Sequence, residues 1–152
     1  MGARDVSKSE DVLRYMQRKY KNAQIIFHPL DLASKESISG FAAAVLHDTD
    51  RIDFLINNAA VMALPQRKIT LEGFEMQMGV NHFGHFFLTY LLWDAIKKSA
   101  FPRIINVSST AHERVGIFNE VTIDFNDINF LRRYTGWQAY GRSKAANILF
   151  TK

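Results

Sequence analysis

The sequence predicts an α/β fold in which a parallel sheet is flanked by helices, and three observations carry that expectation. Short apolar runs in AQIIFHPLDL, RIDFLINNAA and PRIINVSST alternate with longer segments of helical period, and each run ends in polar, turn-forming residues. The order strand, helix, strand demands crossover connections, which is how parallel neighbours are joined. No repeat, low-complexity tract or Pro/Gly-rich linker divides the 152 residues, so a single domain over 1–152 is expected.

The elements follow in order. Ser7 and Glu10 have capping-box spacing, which predicts a helix starting at Ser7 and running through DVLRYMQRKY. Residues 23–27 are apolar and short enough for a buried parallel strand. SKESISGFAAAVLHD sets Ile38, Phe41, Ala42 and Val45 on one helical face. RIDFLINNAA is a strand ending in two asparagines, and TLEGFEMQMGVNHFGHFFLTYLLWDAIKK is a long helix apolar on most sides, which predicts burial. Within it Phe74, Met76, Met78, Phe83, Phe86 and Phe87 are expected in the core. PRIINVSST supplies the third strand, residues 110–135 read as a polar, loop-rich segment, and WQAYGRSKAANILFTK closes the chain as a helix.

Composition excludes several functions. The net charge of +4 comes from nineteen scattered Lys and Arg with no basic run, which argues against nucleic acid as a partner. The absence of cysteine removes disulfides, a thiol nucleophile and Cys-ligated zinc. His82 and His85 lie three apart without a third ligand at suitable spacing, so no metal is expected. The most apolar run, FFLTYLLW, is far shorter than the roughly 20 residues that span a bilayer, and the first residues lack a signal-peptide core. As given, the chain reads as soluble, with localisation and membrane association unassigned.

Open parallel sheets bind ligands beyond the carboxyl ends of their strands, which singles out Asp31 with Leu32, residues 57–60 and residues 108–110. Each of these is also ordinary turn chemistry. YGRSK places Tyr140 and Lys144 one helical turn apart, but YMQRK repeats that spacing at Tyr15 and Lys19, so the pair alone identifies nothing.

Taken together, HPLDL, LINNAA, VNHFGHF, IINVSS and YGRSK, each in its order and strand context, resemble the short-chain dehydrogenase/reductase family. GVNHFGHFFLT, RIINVSSTAH and AYGRSKAANILFT resemble its retinol-dehydrogenase-like branch. The resemblance covers nearly the whole chain and implies a partial Rossmann-type, doubly wound parallel sheet. It implies a catalytic tetrad of Asn81, Ser109, Tyr140 and Lys144. Asp31 and Leu32 would flank the adenine, and Asn58, Ala59 and Ala60 would line the adenosine side of the cofactor. Ala60 stands where the family usually has glycine. Arg4, in GARD, resembles the basic residue that meets the 2′-phosphate, so NADP(H) is expected over NAD(H). The implied activity is interconversion of a small apolar alcohol with a ketone or aldehyde, with homo-oligomerisation compatible. The segment GIFNEVTIDFNDINFLRRYTG is longer than most of the family has and is expected to shape the substrate mouth.

Two departures accompany the resemblance. The family's glycine-rich, pyrophosphate-binding turn has no counterpart, and the chain stops at Lys152, before the strand and loops that complete the nicotinamide and substrate pockets. The chain therefore reads as one incomplete dinucleotide-binding domain, with a non-catalytic remnant or structural subunit as the competing expectation. The implied chemistry explains the tetrad. At neutral pH a phenol is about three units too weak an acid, roughly 4 kcal/mol. An ammonium about 4.5 Å away, at an effective dielectric near 20, offsets roughly that amount. Serine would hydrogen-bond the substrate oxygen, and asparagine would position a water that relays protons to the lysine.

Overall fold

A computed structural model describes residues 1–116 and 119–152. Strand β1 (Gly2–Ala3) pairs in parallel with β2 (His28–Pro29), and β3 (Phe54–Asn57) pairs in parallel with β4 (Arg103–Asn106). Helix α1 (Val6–Lys19) joins β1 to β2, and α2 (Lys35–Asp48) joins β2 to β3. After β3 the chain forms a single turn, α3 (Met76–Met78), then a π turn (Gly79–Gly84), then α4 (His85–Lys97) leading into β4. Beyond β4 come a 3₁₀ turn (Thr110–His112), a small antiparallel pair, β5 (Arg114–Val115) with β6 (Asn119–Glu120), and helix α5 (Gly136–Thr151). This is the expected α/β arrangement of parallel strands and flanking helices. Among the described residues, no helix is long and apolar enough to cross a membrane.

The core lies where α2 and α4 pack together beneath the strands. Ile38, Phe41 and Ala42 of α2 meet Leu88, Leu92 and Ile96 of α4, with Leu32 and Val80 closing one end. Gly84 lets the helix approach the strand ends, since a Cβ there would sit 2.6 Å from the Leu32 carbonyl oxygen. Helix α1 is different, burying only Ser9.

Four expectations need correction. Helix α1 starts at Val6, one residue earlier than expected, because Asp5 rather than Ser7 caps it by accepting from the Lys8 N–H. Residues 23–27 form no strand; the pairing falls on His28 and Pro29, opposite Gly2 and Ala3, and Ile26 is exposed. Pro29 is tolerated because a strand with one neighbour has an outward side that needs no N–H. The long helix starts at Met76, since residues 70–74 form a turn in which Gly73 adopts φ 85° and the Thr70 N–H donates to the Phe74 carbonyl. Met78 is in the core as expected, but Phe86, Tyr90 and Trp93 are exposed along one face of α4, Phe86 meeting the edge of α5 at Phe150, and Phe74 is exposed in the turn before α3. Of the segment assigned to the substrate mouth, Ile117 and Phe118 lie outside the described residues.

The two parallel pairs do not pair with each other. Between them runs a slot of about 670 Å³, with Met1 and Gly2 on one wall, residues 54–57 on the other and Phe41, Val45, Leu88 and Leu92 among the floor residues. Arg103 and Val107 donate to the carbonyls of Asp53 and Asn57, so the alternate residues Phe54 and Ile56 turn their backbone groups away from β4 and into the slot. Their side chains are 63% and 61% exposed. Unpaired parallel edges with apolar side chains are templates for strand addition. The 152-residue chain on its own is therefore expected to self-associate as concentration rises, and Ile56→Lys should raise the soluble fraction. Sedimentation velocity across a concentration series checks this; a monodisperse monomer with cooperative melting would overturn it.

Candidate active site

Tyr140 and Lys144 lie one turn apart in α5, and their helix begins where Thr135 accepts from the Gln138 N–H. Both are buried, Tyr140 at 9% exposure and Lys144 at 2%. The Lys144 ammonium donates to the Val107 carbonyl at 3.0 Å and stands 5.6 Å from the centre of the Tyr140 ring. Burial pushes the Lys144 pKa below the usual lysine value. The Lys144 carbonyl in turn accepts from the Ser108 hydroxyl at 2.8 Å, which fastens the end of β4 to the same turn of α5.

Ser109 follows β4 and caps the 3₁₀ turn. Its Oγ accepts from the Ala111 N–H at 3.2 Å, and its carbonyl accepts from the His112 N–H. Ser109 and Tyr140 line one open cavity of about 770 Å³, together with Met62, Val115, Thr135 and Trp137. Trp137 meets the Tyr140 ring edge-on, with centroids 6.1 Å apart. Much of this wall is apolar, so the cavity suits an apolar molecule bearing one polar oxygen near Ser109 and Tyr140.

Asn81 sits in the π turn and is fully buried. Its Oδ1 accepts from the Val61 N–H at 2.8 Å, and its Nδ2 donates to the Val61 carbonyl and to the Ser143 hydroxyl, each at 2.9 Å. Ser143 passes the link on by donating to the Tyr140 carbonyl at 2.7 Å. Asn81, Tyr140 and Lys144 are thus tied together through Ser143 and one turn of α5, while Ser109 meets Tyr140 across the cavity they line; Val61, Val107 and Ser143, which anchor this arrangement, were not singled out by sequence reasoning. Asn147 was missed as well. It is buried, donates to Val107 at 3.3 Å and meets His82 Nδ1 at 3.3 Å. Its spacing of seven from Tyr140 and three from Lys144 was the available signal, since that puts all three on one face of a helix.

His82 and His85 point to different partners, His82 to Asn147 and His85 to the Asn81 carbonyl at 3.0 Å. Burial lowers the pKa of both rings. Among the described residues, no group of three His, Asp or Glu could hold a metal ion.

A second cleft, of about 210 Å³, gathers Arg4, Asp31, Leu32, Ala59 and Ala60. These come from the ends of β1, β2 and β3, three stretches far apart in sequence. Asp31 Oδ1 accepts from the Ala33 N–H at 2.9 Å, and its own N–H donates to Ser37, so the carboxylate is held in place. Asn58 lies apart from this cleft, in the wall of the slot between β1 and β3. Its neighbour Asn57 is buried and donates to Thr89 and Asn106, tying β3 to α4 and β4.

Known proteins resemble this chain throughout. The family model described as short chain dehydrogenase matches residues 1–121. Retinol dehydrogenase 12 of Mus musculus is 43% identical over 152 residues, covering 100% of this chain and 46% of the relative. Retinol dehydrogenase 13 of Homo sapiens is 46% identical over 153 residues, covering 100% and 44%. The chain therefore spans less than half the length of these curated relatives. Among solved structures, an uncharacterized protein from Mycobacterium paratuberculosis has a TM-score of 0.81 at 38% identity, covering 99% of this chain and 49% of that one. Pseudomonas aeruginosa RhlG, solved as an NADP active-site complex, has a TM-score of 0.70 at 24% identity, covering 98% and 52%, which is a likeness of fold alone. On the family model and these full-coverage relatives, the chain belongs to the short chain dehydrogenase family.

Proposed function

We propose that this chain carries the catalytic centre of an NAD(P)-dependent oxidoreductase that interconverts a small apolar alcohol with the corresponding ketone or aldehyde. The observation that supports it most is the burial of Tyr140 and Lys144 on one helical turn, with Tyr140 and Ser109 opening on one largely apolar cavity. The names of the retinol dehydrogenase relatives favour the same substrate class.

The cleft of Arg4, Asp31, Leu32, Ala59 and Ala60 fits the adenosine end of a nicotinamide dinucleotide. Two small alanines leave the backbone approachable, a fixed carboxylate can accept from a hydroxyl or amine, and a guanidinium can grip a phosphate by two hydrogen bonds. Arg4 favours NADP(H) over NAD(H). Asn58 extends the same lining toward the slot. When bound, the nicotinamide supplies hydride for reduction and accepts it in oxidation.

Tyr140 gives its phenol proton to the substrate oxygen as the carbonyl carbon becomes a C–H carbon, and takes it back in the reverse direction. Lys144, held by the Val107 carbonyl, puts positive charge beside the phenolate that results. Ser109 donates to the substrate oxygen as it gains charge; accepting from Ala111 leaves its own proton free for that bond. Asn81 serves the proton relay toward Lys144 by holding Val61 and Ser143 against one turn of helix.

A second reading, a non-catalytic piece of the same fold, is favoured by the unfilled slot between β1 and β3. Calorimetric titration of NADPH into the 152-residue chain separates the two: micromolar affinity supports a working site, and no heat supports the non-catalytic piece.

In the native protein, Tyr140→Phe is expected to lower turnover by about 10² to 10⁴ while NADPH binding changes little, because it removes a proton donor and almost no contact area. Turnover and binding measured side by side decide this, and near-parental turnover would sink the assignment. Lys144→Ala should damage both quantities.

Arg4→Asp is expected to weaken NADPH binding roughly ten- to a hundredfold more than NADH binding, the scale of a lost charge-assisted hydrogen bond. Equal losses for the two cofactors, measured by fluorescence titration, would reduce Arg4 to a solvated surface charge.

A further inference from the structure

Two buried side chains outside the tetrad hold the start of α5. Gln77, in α3 and one turn before Asn81, is fully buried. Its Nε2 donates to the Tyr134 hydroxyl at 3.1 Å and to the Gly136 carbonyl at 2.9 Å, which occupies both amide hydrogens. Tyr134 then donates to the Leu64 carbonyl at 3.0 Å. Gly136, the first residue of α5, lies flush on the backbone of Ala63 and Leu64, since a Cβ there would come within 3.0 Å of the Ala63 carbonyl oxygen. Four residues before Tyr140, the helix is therefore gripped by Gln77; three residues after it, Ser143 is gripped by Asn81.

Glu75, two residues before Gln77, is also fully buried. Glu75 Oε2 accepts from the Met78 N–H at 2.8 Å, and its carboxyl lies within hydrogen-bonding reach of the Gln77 side chain. Glu75 Oε1 and Gln77 Oε1 are both buried without a partner. With the amide hydrogens occupied elsewhere, Gln77 Oε1 and Glu75 Oε1 are both left without a donor, and an ionised carboxylate can supply none. One proton on Glu75 satisfies both.

We infer that Gln77 is a positioning residue for Tyr140, its amide held in one orientation by a neutral Glu75 carboxyl that donates to Gln77 Oε1. The inference rests on the reading of Tyr140 as the acid/base. The charged and titratable groups facing Glu75 are Arg67, from the segment before α3, and Tyr134, from the segment before α5. Hydrogen bonds from Met78 and Gln77 and the Arg67 charge favour the carboxylate, but burial outweighs them and raises the Glu75 pKa. Burial likewise lifts the Tyr134 pKa, so its hydroxyl keeps the proton it gives to Leu64. The local sequence makes the device legible in retrospect: Glu75, Gln77 and Asn81 share one short helical stretch, so one element addresses both ends of the Tyr140 turn.

The test compares Gln77→Leu, Glu75→Gln and Glu75→Ala with the parent, all in the native protein. Gln77→Leu should lower kcat roughly ten- to a hundredfold with KM within about twofold, and should displace the pH profile of kcat, as expected when an acid/base loses its place. Glu75→Gln, whose amide N–H can replace the carboxyl proton, should stay within about twofold of the parent, while Glu75→Ala should follow Gln77→Leu. Thermal unfolding gives a readout independent of turnover. A carboxyl whose folded pKa is raised contributes stability that is fully present below the unfolded value of 4.5 and is lost as pH rises through the folded value. Glu75→Gln should therefore gain on the parent as pH climbs above that point. Amide exchange at Gln138 and Ala139 should accelerate about tenfold in Gln77→Leu if the clamp is real.

Glu75→Gln as damaging as Glu75→Ala, or an unfolding difference that does not change with pH, would overturn the neutral carboxyl. Unchanged amide exchange, or an unchanged kcat and pH profile, would overturn the clamp. Absence of turnover in the parent itself would instead refute the oxidoreductase reading, and unfolding and exchange would still decide the Glu75 and Gln77 pair.

Discussion

One buried amide organises the candidate site. Asn81 makes three side-chain hydrogen bonds, two to the backbone of Val61 and one to Ser143, and so joins the segment after β3 to the helix that bears Tyr140. A buried amide with unmet bonding capacity is costly, so each of these partners is held to its place as firmly as the amide itself. The π turn makes this reach available, because it interrupts regular helix over residues 79–84, where Asn81 lies. Gly84 lets the same turn press against Leu32 at the end of β2. The geometry near Tyr140 and the geometry near Asp31 thus depend on one short stretch of chain.

The Val107 carbonyl plays the matching part for charge. It accepts from the Lys144 ammonium and from Asn147, so a cation that burial penalises is given a fixed partner. Tyr15 and Lys19 show what the same spacing yields without these supports. Lys19 stands 5.8 Å from the Tyr15 ring, almost the distance found for Lys144 and Tyr140. Yet Tyr15 is 58% exposed on α1, where water competes for the cation and screens its charge. Helix geometry sets the distance in both cases, and surroundings decide whether that distance matters.

The sheet carries the same lesson at larger scale. Its strand ends deliver Arg4, Asp31, Ala59 and Ala60 to one cleft and Ser109 to the cavity that Tyr140 lines. They do so although β1 and β3 do not touch, because the α2 and α4 core holds the two strand pairs from below. Positioning by a helical layer leaves the strand edges bare, which accounts for an ordered site standing beside two unpaired edges.

From sequence alone, the alternation of apolar runs with helical segments determined the α/β class, because period and connection length are local properties. LINNAA, IINVSS and YGRSK pointed to Asn58, Ser109, Tyr140 and Lys144 only through the family they resemble. Strand placement escaped that reading: residues 23–27 are as apolar as any strand, but pairing needs a neighbour in register, and Gly2 and Ala3 meet His28 and Pro29 instead. The start of α1 escaped it too, since Asp5 and Ser7 are both competent caps and only backbone geometry chose between them. The exposure along α4 and the contacts of Gln77, Ser143, Asn147 and the Val107 carbonyl were decided only by tertiary structure, the hydrogen bonds joining residues 37 to 62 positions apart. Local chemistry is written into residue type and spacing. Burial and long-range partnership arise only when the chain closes on itself.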